Sequence, residues 1–406
     1  MIRYEALTEK QIENIHNILE KANGTMFQNF KEDFPDFKLG ISNEESRINI
    51  SHALMRNDIP INYIKKWASE LFLNQANTIF MYQLDNCNKY KTLGTHPTLL
   101  KKTKNILDVD KNITDIQLVS IDTTISNQIL FSFVMPCEVE KKNKFGISEF
   151  QKDLYFAYVW LDFKKNALVF SIPQYPNHIL INNKIIKKNQ YEQIVNEIFT
   201  FFKESNLSFS FGNLEWIIDS LNQITKEYFD HNNPVIYDTI VGLQEREELD
   251  KIITGLTKLD SNLNNDFSKR RIKKSLMEII ETELIRNLGP IRKQVPFQIF
   301  LQEVTKGGTD FKASNKKLPF DSDESREIIK KMVEHGEINA LGLSYNFEER
   351  DYKYKIYFEN DYFALRRLTT GQTKKEVVED VLSTLIEYKQ RVQSKPTSSS
   401  VRQTKQ

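Results

Sequence analysis

The amino-acid sequence predicts an α+β protein of several domains, and three observations carry that expectation. Apolar residues recur at helical spacing over residues 1–75. Short runs rich in Ile, Val, Phe and Tyr then take over, at 78–84, 115–122, 128–138, 154–163, 167–172 and 178–186. Helical spacing returns from 213 to 288, and a mixed strand and helix order closes the chain. The expected organisation is a helical domain at 1–75, a mostly antiparallel β-rich domain at 76–212 and a helical connector at 213–290. A small α/β domain at 295–391 and a disordered tail at 392–406 follow.

In the helical domain, Thr8 and Gln11 have capping-box spacing ahead of Ile12, Ile15, Ile18 and Leu19, and Gly24 is the expected stop. Phe27, Phe30, Phe34 and Phe37 follow. Ser42 and Glu45 repeat the capping signature before Ile48, Ile50, Leu54 and Met55. A turn at Asn57–Pro60 leads to Ile61, Ile64, Trp67, Ala68, Leu71 and Phe72.

In the β-rich domain, Leu154–Phe163 and Ala167–Ile172 flank Lys164–Asn166, which reads as a hairpin connection. The polar stretch 86–114 reads as an insertion or linker, and a helix at 190–204 closes the block against one face of the sheet. In the connector, Trp216, Ile217, Leu221, Ile224 and Tyr228 mark the first helix. Ile272, Leu276, Ile279, Ile280 and Leu284 mark the last, with Gly289–Pro290 as terminator. The C-terminal block reads strand 295–304, loop 305–320, helix 322–335, strands 338–347 and 353–360, and helix 373–391.

Composition narrows the function classes. Lys and Arg number 56 against 55 Asp and Glu, so an electrostatic site has to be a local patch and not a global field. Two cysteines, Cys87 and Cys137, make no disulfide framework, and a reducing cytoplasm is the expected setting. No run approaches the roughly 18 apolar residues of a membrane span, and the N-terminus carries Arg3 and Glu5 where a signal core would be apolar. The six histidines fall at none of the usual zinc spacings, no phosphate-binding glycine motif with its strand and helix is present, and no cofactor is expected.

The sharpest local signal is the run 269–274, which places Lys269, Arg270, Arg271, Lys273 and Lys274 in six positions. On a helix with Ile272 and Leu276 inward, Arg270, Arg271 and Lys274 face outward, and Lys269 and Lys273 lie beside the apolar stripe. Like charges four apart cost about 0.2–0.5 kcal/mol, so the run fits a surface that holds phosphates. The alternative is a solvated face neutralised by Glu278, Glu281, Glu283 and acidic residues 245, 247 and 248.

Three further patterns carry chemistry. Residues 50–71 allow a helix-turn-helix with Lys65 and Lys66 outward, although Asp58 stands where the turn usually has Gly. Asp162-Phe163-Lys164, with Asp153 upstream, has the form of a metal-dependent nuclease site, in which carboxylates hold Mg²⁺ and a lysine neighbours the attacked phosphate. Gly307-Gly308-Thr309-Asp310, between Lys306 and Lys312, could fold its amides into an anion nest. The functional expectation is a non-enzymatic subunit of a cytoplasmic assembly. It would contact nucleic acid or an acidic partner through Lys269, Arg270, Arg271, Lys273 and Lys274, with Lys65 and Lys66 second. A metal-dependent nuclease and a protein–protein scaffold with Phe-rich interfaces are the rivals.

Overall fold

The computed structural model describes residues 7–142, 145–175, 179–182, 184–186, 191–229, 234–244, 247–288, 295–306, 309–314, 337–359, 361–369 and 371–394. The chain is α+β, with helices and a large antiparallel sheet segregated along the sequence. It forms two compact units. The first comprises Met1–Ile217 and Tyr352–Glu387, the second Ile218–Asp351 and Tyr388–Gln406.

The first unit opens with helices α1 (Glu9–Leu19), α2 (Gly24–Asp33), α3 (Asn43–Met55) and α4 (Ile61–Ser69). The expected capping box forms: Gln11 N donates to Thr8 Oγ1 at 3.2 Å and Thr8 N to Gln11 Oε1 at 3.1 Å. Gly24 opens α2 instead of closing α1, because Asn23 Oδ1 caps the next helix, accepting from Thr25 N and Met26 N at 3.1 Å each. The phenylalanine run packs α2 onto α4. The Phe30 ring lies 5.6 Å from Tyr63 and 5.4 Å from Trp67, both edge-on.

Strands β1 (Asn77–Gln83), β2 (Gln117–Asp122), β3 (Gln128–Lys142), β4 (Ser148–Asp162), β5 (Ala167–Pro173), β6 (Ile179–Ile181) and β7 (Lys184–Ile186) follow. Residues 178 and 183 of the last expected strand lie outside the described residues. β3 and β4 form a long hairpin running from Gln128↔Asp162 to Lys142↔Ser148. The unit is completed by β11 (Arg350–Phe358) and β12 (Phe363–Arg367), and its strand order is β7-β6-β3-β4-β5-β1-β12-β11, with β2 also on β3. β12 pairs antiparallel with β1, Thr78 opposite Arg366. The block expected as one small domain at 295–391 is therefore divided between the units, since strand pairing across most of the chain leaves no local pattern.

The sheet is buried on both faces, and its central strands read as near-continuous apolar runs for that reason. On one face Phe131, Phe133, Tyr155 and Phe170 pack with helix α6 (Glu192–Glu204), through Ile194, Ile198 and Phe202. On the other, Trp160 meets helix α11 (Lys375–Gln393), with Lys375 Nζ 5.2 Å from its ring centroid. The stretch 86–114 is not a linker. It forms a short helix α5 (Pro97–Lys102) and 3₁₀ turns that bury Leu93, Leu99, Ile106 and Leu107. Its apolar residues are too widely spaced to announce an element.

The second unit carries most of α7 (Trp216–Phe229), then α8 (Pro234–Gln244), α9 (Glu247–Thr257) and α10 (Asp266–Leu288). Leu249, Ile253 and Met277 form a small core between α9 and α10. Strands β8 (Phe297–Lys306), β9 (Thr309–Ser314) and β10 (Glu337–Phe347) pair antiparallel in the order β10-β8-β9. The loop expected at 305–320 thus includes a strand, Lys306 facing Thr309 in the β8–β9 ladder. The expected helix 322–335, Gly307, Gly308, the Gly289–Pro290 terminator and tail residues 395–406 lie outside the described residues.

Candidate functional site

Helix α10 starts at Asp266, capped by Asn265 Oδ1, which accepts from Ser268 N at 2.8 Å. Lys269 therefore sits just beyond the first turn, where the unfavourable end of the helix dipole has largely faded. Phe267, Arg270, Arg271 and Lys274 follow at i, i+3, i+4 and i+7 and share one face. Phe267 is 77 % exposed, and Arg270, Arg271 and Lys274 are exposed as well. Lys269 and Lys273 are half-buried beside Ile272.

The acidic residues around this run are largely engaged. Lys273 Nζ lies 2.8 Å from Asp250 Oδ1, and Lys274 Nζ 3.9 Å from Glu278 Oε1. Glu283 pairs with Arg286 at 3.3 Å and Glu247 with Lys251 at 3.7 Å. Residue 245 is outside the described residues. Among the described residues, Lys269, Arg270 and Arg271 form no ion pair. The structure thus divides the five cations, two matched to carboxylates and three left with open charge.

Lys65 and Lys66 lie in the other unit. The turn before α4 takes Asn57 through φ 59°, a conformation that Asn tolerates. α4 is only nine residues long, and its aromatic side packs on α2. Asn62, Lys65, Lys66 and Ser69 line a groove whose far wall is β2 together with Thr103, Lys104 and Asn105. Lys66 Nζ crosses to Asp122 Oδ2 at 2.7 Å. Asp122 Oδ1 accepts from Thr124 N at 2.7 Å and Thr124 Oγ1 at 2.6 Å. Burial works against the Asp122 carboxylate, but these hydrogen bonds outweigh it and hold the group below its ordinary pKa. The α4 lysines therefore look into a groove and not off a free helix face. Lys104 joins them through the fold alone, and its only sequence signal is a Lys-Lys-Thr-Lys stretch in an apparent linker.

Asp162 is 2 % exposed and caps the β4–β5 turn. Its Oδ1 accepts from Lys164 N at 3.0 Å and Lys165 N at 2.9 Å, and its Oδ2 from Lys165 Nζ at 2.9 Å and Gln128 Nε2 at 3.1 Å. Gln128 Nε2 also donates to Glu379 Oε1 at 2.7 Å, and Lys375 Nζ donates to both Gln128 Oε1 and Glu379 Oε1. Two lysines and two carboxylates close this buried network. Asp153 pairs with Lys21, about 30 Å along β4 at ~3.3 Å per residue, too far to share a metal with Asp162. Among the described residues, no group of three or more His, Cys, Asp or Glu side chains could hold a metal ion. Cys87 and Cys137 are buried free thiols, and burial pushes each up to about 12, which removes their nucleophilic form near neutral pH.

No protein-family model matches the chain, and no curated protein is significantly similar to it. Among the described residues, no helix is long and apolar enough to cross a membrane.

Proposed function

We propose that this protein is a non-enzymatic subunit of a larger assembly and contacts nucleic acid through the exposed face of α10. One observation carries the reading: Lys269, Arg270 and Arg271 keep open charge among the described residues, and exposed Phe267 stands on the same face as both arginines. Guanidinium groups hold phosphates in a fixed fork geometry, and an aromatic ring among cations offers a platform on which an unpaired base stacks. The pairing favours a single strand over a duplex. Stacking and phosphate contacts read no base edge, so binding is expected to tolerate most sequences.

The test compares wild type with Arg270→Glu/Arg271→Glu and with Phe267→Ser in gel-shift assays on single-stranded and duplex probes at about 50 mM salt. Charge reversal should abolish binding, and Phe267→Ser should weaken the single-strand complex by more than the duplex complex. Failure of wild type to bind either probe or heparin under these conditions rejects the reading.

A second reading rests on a different observation. Ile252 and Leu256 share one face of α9, and Leu259 follows two residues beyond the helix end; they are 54 %, 37 % and 82 % exposed. Exposed apolar residues close together in the chain can mark a protein interface, and these three would suit a protein neighbour in the same assembly. Light scattering of wild type against Ile252→Ser/Leu259→Ser tests whether they mediate self-association.

A further inference from the structure

The groove between α4 and β2 lies within the first unit and has its own chemistry. Its volume is about 420 Å³, within the range of small-ligand sites. Lys66 is neutralised by Asp122, whose two oxygens are already occupied by Lys66 and Thr124. Lys65 on the α4 wall and Lys104 on the opposite wall have no ion pair among the described residues. The lining therefore carries three lysines against one aspartate, a net charge of +2. A phosphomonoester carries about −1.5 to −2 at neutral pH, which matches the charge of the two lysines without an ion pair that line the groove. The remaining polar lining, including Asn62, Asn105 and Ser120, offers amide and hydroxyl groups, while the apolar part is aliphatic. Among the described residues, no aromatic ring lines the groove, so the stacking platform a nucleobase would use is not among its lining.

We propose that this groove binds a small sugar phosphate, with Lys65 and Lys104 on the phosphate and Asn62, Asn105 and Ser120 facing the sugar hydroxyls. The phosphate would bridge the two walls, and the Lys66–Asp122 pair would fix their separation.

Isothermal titration with glucose 6-phosphate, inorganic phosphate and glucose tests this on the full chain. Glucose 6-phosphate should saturate below about 10 mM, inorganic phosphate should bind more weakly, and glucose should not bind. Lys65→Gln and Lys104→Gln should each weaken binding about tenfold or more, the loss expected for one charge-assisted contact. Both sites are on the surface, and circular dichroism checks that the variants fold. Arg270→Glu/Arg271→Glu should leave sugar phosphate binding unchanged, which separates this site from the nucleic-acid reading. Absence of saturable binding, or affinity unaffected by Lys104→Gln, overturns the site. Equal affinity for inorganic phosphate and glucose 6-phosphate overturns the sugar part of the assignment.

Discussion

Replacing Asp162 with alanine removes the acceptor on which the β4–β5 turn and a buried charge network converge. Two backbone amides, Lys164 N and Lys165 N, lose a partner. Gln128 Nε2 keeps Glu379 as an acceptor. The main cost falls on Lys165, whose side chain is only 13 % exposed and whose ammonium loses its counter-charge. Removing one member of a buried pair costs about 3–5 kcal/mol. For a unit of this size, at ~2–4 °C per kcal/mol, that is a fall in melting temperature of roughly 6–20 °C. Asp162→Asn keeps an oxygen for the turn amides but also removes the counter-charge of Lys165, so it should lose nearly as much. Calorimetry on both variants gives the answer. A melting temperature for Asp162→Ala within about 2 °C of wild type, a loss of under about 1 kcal/mol, refutes this role for Asp162. So does a Mg²⁺-dependent plasmid-cutting activity that Asp162→Asn removes without any loss of stability, since that is nuclease behaviour.

Two further outcomes follow from the packing. Burial raises the Glu70 carboxyl from 4.5 to about 7, with Asp122 adding to the shift and Lys66 and Lys375 opposing it. The folded state then holds a proton that the unfolded state has released between pH 4.5 and about 7. This group therefore makes stability fall as pH rises through that window and adds no further change above it. Glu70→Gln should match wild type near pH 4 and exceed its melting temperature at pH 8. A gap that is independent of pH contradicts the assignment. At Gly342, on a bulge of β10 against β8, an added Cβ would lie 2.6 Å from Leu301 Cβ and 2.9 Å from Phe300 Cε2. Gly342→Ala should cost about 1–3 kcal/mol in urea unfolding, and an unchanged midpoint contradicts the close approach.

Local features of this chain were legible in its sequence because local chemistry determines them. Thr8 and Gln11, and Ser42 ahead of Glu45, announce helix starts by supplying acceptors to open backbone amides. Lys164–Asn166 announces a turn, and Asn166 there adopts φ 53°, where an asparagine is tolerated. The long-range pairings were not legible. β12 lies on β1, and β9 folds back on β8 through a segment that reads as polar loop. The candidate sites divide the same way. The α10 cluster is a contiguous run, and its partition into paired and open cations depends on Asp250 from another helix. Lys104 reaches the α4 groove only because residues 86–114 fold against the sheet. Asp162-Phe163-Lys164 shows the reverse case. A metal-binding carboxylate and a turn-capping carboxylate both belong at a strand end, and only the hydrogen bonds of Asp162 tell them apart.

The most direct measurement of the α10 account is fluorescence anisotropy of a labelled single-stranded oligonucleotide, titrated across a range of salt concentrations. Three phosphate contacts give a slope of log affinity on log salt of roughly −2, and Arg271→Ala should reduce its magnitude by about 0.7. A slope near zero, or one unmoved by Arg271→Ala, contradicts the claim that these side chains hold nucleic acid.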